Sequence, residues 1–191
     1  MRQSRKGLAA LLLMCAIAMG WGTTAAAASQ HQVAESMLSD IGMSTWIAEG
    51  KGPHVVYIFF DPNCPYCHKL YKETRPYLKR GGFQLRWIPV GILTATSRGK
   101  AASILMAKDR LAALHENERK FDYSGGLGGI DEAIGPDDAA AKSLAANEEL
   151  LSRMTVPSVP AMLFRADDDS ALLVSGSPPP DKLQFFLSHV K

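Results

Sequence analysis

Residues 54–68 read HVVYIFFDPNCPYCH, and the change of pattern in the middle of this stretch decides the fold. His54 to Phe60 form a nearly continuous apolar run rich in β-branched and aromatic side chains, as a strand buried on both faces requires. A helix follows directly. Pro65 suits the first helical position, which makes Cys64 the cap residue. Cys67, Leu70, Tyr71, Thr74 and Leu78 then fall on one face at spacings of three and four, while His68, Lys69, Lys72 and Glu73 point elsewhere. Pro76 interrupts the helix interior and predicts a kink near Arg75 rather than a stop, because Tyr77 and Leu78 continue the apolar face.

The junction divides the labour between two sulfurs. Cys64 sits at the positive end of the helix dipole beside unpaired backbone N–H groups, so its thiolate is stabilised and its pKa is expected below the unperturbed ~8.5. Cys67, one turn in and on the buried face, is expected to stay protonated until a mixed disulfide forms on Cys64, then to attack it and release the substrate thiol. The plainer alternative is a structural disulfide. In the chain-entropy model a bridge closing four residues contributes roughly 2 kcal/mol, against about 4.7 for a hundred-residue loop, so the pair is poorly placed as a staple.

Downstream, Phe83 to Val90 alternates and then becomes apolar, a second strand. Helical periodicity occupies Arg98 to Tyr123, with Ala101, Ala102, Leu105 and Met106 on one face and Leu111, Leu114 and Phe121 following a break near Asp109. Two helices or one bent helix fit equally well. Residues 124–129 (SGGLGG) match neither a phosphate-cradling loop nor a dinucleotide fingerprint and read as a flexible linker. Pro136, Asp137 and Asp138 open another helix to about Arg153, with Leu144 and Leu151 inward. Ala161 to Ala166 and Ala171 to Ser175 read as strands of a hairpin around the turn Asp167 to Ser170, and Pro178 to Pro180 lead into a closing helix, Asp181 to Val190. The first two strands need a crossover connection. The sum is an α/β fold with a mixed central sheet flanked by helices and a helical insertion over about residues 98–153.

Residues 1–28 read as a secretory signal peptide, with a cationic start, an apolar run from Leu8 to Met19 and small residues before the cleavage site. About 12 apolar residues are too few to span a bilayer, where ~20 are needed. Cys15 is discarded with this leader, since Met14 stands where a lipidation site needs a small residue. Residues 29–43 read as a short helix or linker remnant whose stripe is Val33, Met37, Leu38 and Ile41. The whole chain holds 191 residues, 47% hydrophobic, room for one ordinary domain with a real core. Lysine plus arginine number 21 against 19 acids; removing Arg2, Arg5 and Lys6 with the leader leaves 18 against 19. That balance excludes an electrostatic nucleic-acid binder.

A CxxC pair at a strand-to-helix junction, a helical insertion, and Val159-Pro160 just before the hairpin together resemble the thioredoxin fold. More narrowly, Trp46-Ile47, Gly50-Lys51, the run Asp61 to Cys67, Arg75-Pro76, residues 84–86 and Val90-Gly91 are similar to the catalytic domain of the periplasmic disulfide isomerase family DsbC/DsbG over about residues 44–191. The resemblance implies an exported, periplasmic thiol-disulfide oxidoreductase. Pro160 is then a cis-proline against the active pair, Val159 supplies backbone hydrogen bonds to a substrate peptide, and Pro65, Tyr66 and His68 support the cysteines. It implies no dissociable cofactor and no metal, and as partners protein thiols or disulfides and a membrane redox protein that resets the pair. Two departures matter. Only about 15 residues separate the cleavage site from Trp46, too few for the family's dimerisation domain, so a monomer is expected. Val159 stands where the isomerases typically have threonine and the oxidase DsbA has valine, which shifts weight from isomerisation toward oxidation or reduction.

Other readings of the same residues compete. Cys64 to His68 is formally C-x-x-C-H, the c-type haem attachment pattern with His68 as axial ligand, but it follows a buried strand in an α/β chain. A metal site would need His68 to be joined by His31, His54, His115 or His189. His68 is expected as a solvated residue on the outer helix face, with stabilisation of the thiolate as its functional alternative. Tyr66 is expected to tune the redox potential, and Lys69 and Lys72 to be solvated charges, with a further lowering of the Cys64 pKa, opposed by Asp61, as their functional alternative. Residues 55–60 carry no buried acid behind the disulfide, so the proton of Cys67 must leave through water or another group.

Overall fold

The computed structural model of the protein describes residues 21–191, with side chains from residue 29. The leader reading therefore falls largely outside the described residues. In chain order the elements are α1 (Trp21–Ser39), a single 3-10 turn (Ile41–Met43), β1 (Ile47–Gly50), β2 (His54–Phe60), α2 (Pro65–Arg80), β3 (Phe83–Pro89), α3 (Ser97–Met106), α4 (Arg110–Arg119), α5 (Asp138–Leu151), β4 (Ala161–Arg165), β5 (Ala171–Ser175) and α6 (Pro180–Ser188).

Five strands form one mixed sheet in the order β1-β3-β2-β4-β5. β2 lies at its centre, parallel to β3 and antiparallel to β4, and α2 is the crossover between the parallel pair. Because side chains alternate across a strand, β2 feeds two cores at once. Val56, Ile58 and Phe60 meet Cys67, Leu70 and Tyr71 of α2, Leu114 of α4 and Leu183 of α6 on one face. Tyr57 and Phe59 meet Ala34 and Met37 of α1 and Leu150 and Leu151 of α5 on the other. This double burial is why the run 54–60 is apolar throughout rather than alternating.

The helix boundaries follow local chemistry. The Asp109 carboxylate caps α4 through Ala112 N–H at 2.9 Å, and Asp137 caps α5 through Ala140 N–H at 2.7 Å. The stretch 98–123 thus resolves into two helices. α2 continues through Pro76 to Arg80 and stops at Gly81, whose φ of 80° only glycine adopts readily. Within α3, Ala101, Ala102 and Leu105 pack inward as expected, but Met106 is exposed and Ile104 takes the buried place.

One stretch differs from the sequence reading. Residues 47–50 form a fifth strand, antiparallel to β3, that their brevity and the acid within them conceal. Its Glu49 is buried, where the Arg75 guanidinium and Trp87 Nε1, at 2.9 Å, donate to the carboxylate. The N-terminal stripe packs on the sheet: Met37 is fully buried, Val33, Leu38 and Ile41 flank it, and Glu35 accepts from Ala171 N–H at 2.8 Å and from Arg165.

Candidate functional site

The site begins where β2 runs out. Asp61 is fully buried, and its carboxylate accepts from Asn63 N–H at 2.9 Å, Ser97 O–H at 2.8 Å, Ile92 N–H at 2.8 Å and Leu93 N–H at 3.0 Å. Those four donors fix the turn that aims residues 62–64. Asn63 extends the tie: its Nδ2 donates to Thr94 Oγ1 at 2.7 Å and Thr96 Oγ1 at 2.8 Å, and its Oδ1 accepts from Gly128 N–H at 2.9 Å. The glycine loop 124–129 is therefore not a free linker. Residues 122 and 127 pair in a β-bridge, Lys100 Nζ donates to Gly128 O, and a side chain at Gly128 would run into Pro62 O and Asn117 Oδ1.

Held this way, Cys64 is the N-cap of α2 with Pro65 as the first helical residue. Its Sγ takes the place of a capping oxygen and accepts the Cys67 N–H at 3.2 Å. Hydrogen bonds lower the Cys64 pKa below the ordinary thiol value. The Cys67 side chain contributes most and the Cys67 and Tyr66 N–H groups add to it, against the opposing effects of burial and the Asp61 charge. Cys67 is 1% exposed, and burial above all, followed by its bond to Cys64, pushes its pKa well above the ordinary value. The two sulfurs are thus chemically unlike: the thiolate of one is stabilised, and that of the other is disfavoured.

Across the site the Val159–Pro160 peptide bond is cis, and Cys64 Sγ lies 3.6 Å from Val159 O. The opening of α2 and the segment before β4 therefore meet at the reactive sulfur. Tyr66 stands 65% exposed beside the pair.

His68 corrects the sequence reading. It is buried rather than solvated, because α4 packs over that face of α2: its Nδ1 lies 2.9 Å from Glu118 Oε2, and its ring stacks on Phe121 with centroids 4.6 Å apart. With Cys67 buried and His68 engaged, a haem would find neither its second sulfur nor its axial nitrogen at the surface. The other histidines lie apart: His31 faces Glu35, His54 packs on Phe83, His115 bonds Tyr71 and His189 bonds Phe185 O. Among the described residues no three His, Cys, Asp or Glu side chains converge as a metal site. Asn63, Asn117, Glu118 and Gly128 were not singled out from sequence; the available signal was a polar Asn-Glu pair followed closely by a glycine run, which also describes an ordinary exposed helix end.

The sequence pattern of the thioredoxin-like domain family matches residues 42–191. The chain is 36% identical over 153 residues to the thiol:disulfide interchange protein DsbG of Pseudomonas aeruginosa, covering 79% of this chain and 58% of the relative. It is 28% identical over 148 residues to the protein of that name from Escherichia coli, covering 76% and 58%. The chain thus spans less than two thirds of the length of these curated relatives. Among solved structures, a linker-deletion variant of Proteus mirabilis ScsC aligns with a TM-score of 0.71 at 18% identity, over 93% of this chain and 90% of that one. A periplasmic thioredoxin-like protein from Salmonella enterica serovar Typhimurium aligns with a TM-score of 0.58 at 19% identity, over 81% and 94%. These structures share the fold.

Proposed function

Since the chain belongs to the thioredoxin-like domain family, we propose that it is an exported thiol-disulfide oxidoreductase that exchanges disulfides through Cys64 and Cys67. The observation that carries this reading is the asymmetry of the pair: Cys64 Sγ caps α2 with its pKa lowered, while Cys67 is buried with its pKa raised. A thiolate attacks a disulfide along the S–S axis, and the better leaving sulfur departs as thiolate. Cys64 forms the mixed disulfide. Cys67 then attacks Cys64 Sγ, the substrate thiol leaves, and the protein holds the new disulfide; attack by a freed substrate thiol instead yields isomerisation. Val159 and Pro160 border the reactive sulfur, where an extended substrate strand can lie. Pro65 and Tyr66 support the pair by starting the helix and by framing its exposed side. The partners are protein thiols and disulfides and a membrane redox protein that resets the pair, and the protein acts in the periplasm as a monomer.

One observation favours oxidation as the net direction. The hydrogen bond from the Cys67 S–H, which contributes most to lowering the Cys64 pKa, exists only in the reduced pair, and stabilising the reduced form makes the disulfide the stronger oxidant. Val159, the residue expected of the oxidase, agrees with it.

Trapping tests the whole reading. Cys67→Ser should accumulate a mixed disulfide with a peptide disulfide substrate, seen as added mass that reductant removes, and Cys64→Ser should accumulate none. Retention of exchange by Cys64→Ser, or adduct formation on Cys67 in preference to Cys64, would contradict it.

A further inference from the structure

The exchange scheme gives no task to the buried pair His68–Glu118. Their side chains are 8% and 2% exposed and 2.9 Å apart, and Glu118 Oε1 accepts from Asn117 Nδ2 at 3.1 Å. Burying an ionisable pair costs several kcal/mol before its own attraction repays it, and apolar residues of similar size would join α4 to α2 at least as well. The pair's position offers a better account. His68 follows Cys67 directly in α2, and the Glu118 charge is among the influences that hold the proton on Cys67.

The other buried acids near the two sulfurs' helix are committed. Asp61 serves four donors, and Glu49 serves Arg75 and Trp87. Glu118 has two donors for about four lone-pair sites, so it retains capacity to accept. The pair also reaches water, since His68 and Glu118 line a surface cleft of about 360 Å³ together with Lys72, Arg119 and Tyr123.

Building on the thiol-exchange reading, we propose that the His68–Glu118 pair accepts the proton of Cys67 during the resolving step, directly or through one water. As Cys67 Sγ attacks Cys64 Sγ, the Cys67 S–H bond gives its proton to the pair and the Cys64–Cys67 bond forms. The bond from Cys64 to the substrate sulfur breaks, and that sulfur leaves with the electron pair as a thiolate. Cys67 sulfur is oxidised and the departing substrate sulfur reduced, and the proton passes from the pair to water in the cleft. The titratable and charged groups that line the cleft with the pair are Tyr71 and Lys72 from α2, Arg119 from α4 and Tyr123 from the loop after it, and Cys67 precedes His68 in α2.

A symmetrical aromatic disulfide that absorbs on release of each half separates the two steps in one rapid-mixing trace: the first release reports attack by Cys64, the second resolution by Cys67. Glu118→Gln should leave the first phase within about twofold and slow the second about tenfold or more at neutral pH, as loss of a general base does. The gap should close at high pH, where hydroxide takes the proton, and Glu118→Asp should recover part of the rate. His68→Gln should slow the same phase, and it carries the test if Glu118→Gln does not fold. Unchanged second phases, or both phases slowed together at every pH, would overturn the proposal by leaving the pair a structural role. Absence of both phases in the unaltered protein would overturn the exchange reading and this proposal with it, whereas a normal first phase isolates a failure to the proposal alone.

Discussion

The strand–helix junction at residues 54–68 and the helical insertion at residues 97–151 build one site by opposite means. At the junction, local sequence supplies both structure and chemistry: the run into Asp61 ends the strand, Pro65 starts the helix, and Cys64 becomes its cap. In the insertion, α3, α4 and α5 form for their own local reasons, yet what they add to the site arises only when they dock. Ser97 reaches Asp61, Asn117 reaches Pro62 O, Gly128 reaches Asn63, and Glu118 reaches His68. The reactivity of Cys64 is thus a short-range property of this protein, and the positioning of the groups around it a long-range one.

The sharpest way to break that comparison is to cut the ties while leaving the cysteines intact. Asp61→Leu strands three backbone N–H groups and the Ser97 hydroxyl, and should cost roughly 3 kcal/mol or more in urea unfolding of the reduced protein. A loss below about 1 kcal/mol would show that the turn holds without its acid. Gly128→Ala should cost less, roughly 1–3 kcal/mol, by forcing a Cβ against Pro62 and Asn117. In that variant the Cys64 alkylation rate should stay near its normal value, because the cap is local; a parallel collapse of reactivity would tie the chemistry to the insertion after all.

The same contrast explains what sequence could and could not reveal. β2 and α2 announce themselves through an unbroken apolar run, a proline at a helix start and an amphipathic stripe, all signals within a few residues. β1 is four residues long with an acid at its third position, and the partners that surround the buried Glu49 carboxylate, Arg75, Trp87 and His115, are all remote in sequence. His68 falls outside the apolar stripe of α2 and reads as solvated until α4 is seen lying over it. Glu118 sits in a helix whose sequence, RLAALHENER, is mostly polar, so nothing local separates it from its exposed neighbours Arg119 and Lys120. The glycines at 125–129 look like slack because the contacts that use Gly128 come from residues 62, 63, 100 and 117.

Smaller effects sharpen the junction itself. Cys67→Ala removes the largest influence lowering the Cys64 pKa, so the midpoint of Cys64 alkylation against pH should move upward, toward the ordinary thiol value. The linkage has a definite sign. With its folded pKa depressed, Cys64 adds stability to the reduced protein above the ordinary thiol pKa, and that contribution is lost as pH falls through the lowered value. Urea midpoints of reduced wild-type protein and Cys64→Ala should therefore differ more on the alkaline side of this window than on its acid side. At the small end, Lys69→Ala loosens the half-exposed contact with Glu73 at 3.8 Å and should change stability by less than about 0.5 kcal/mol.

The central claim is that hydrogen bonds in the first turn of α2, the one from the Cys67 side chain above all, lower the pKa of Cys64 below that of an ordinary thiol. Ultraviolet thiolate absorbance of the reduced protein, titrated against pH, tests that directly. One thiolate should appear below the ordinary thiol range, vanish in Cys64→Ser and persist, shifted upward, in Cys67→Ala. A first thiolate titrating at or above the ordinary value, or one that survives in Cys64→Ser, would contradict the account.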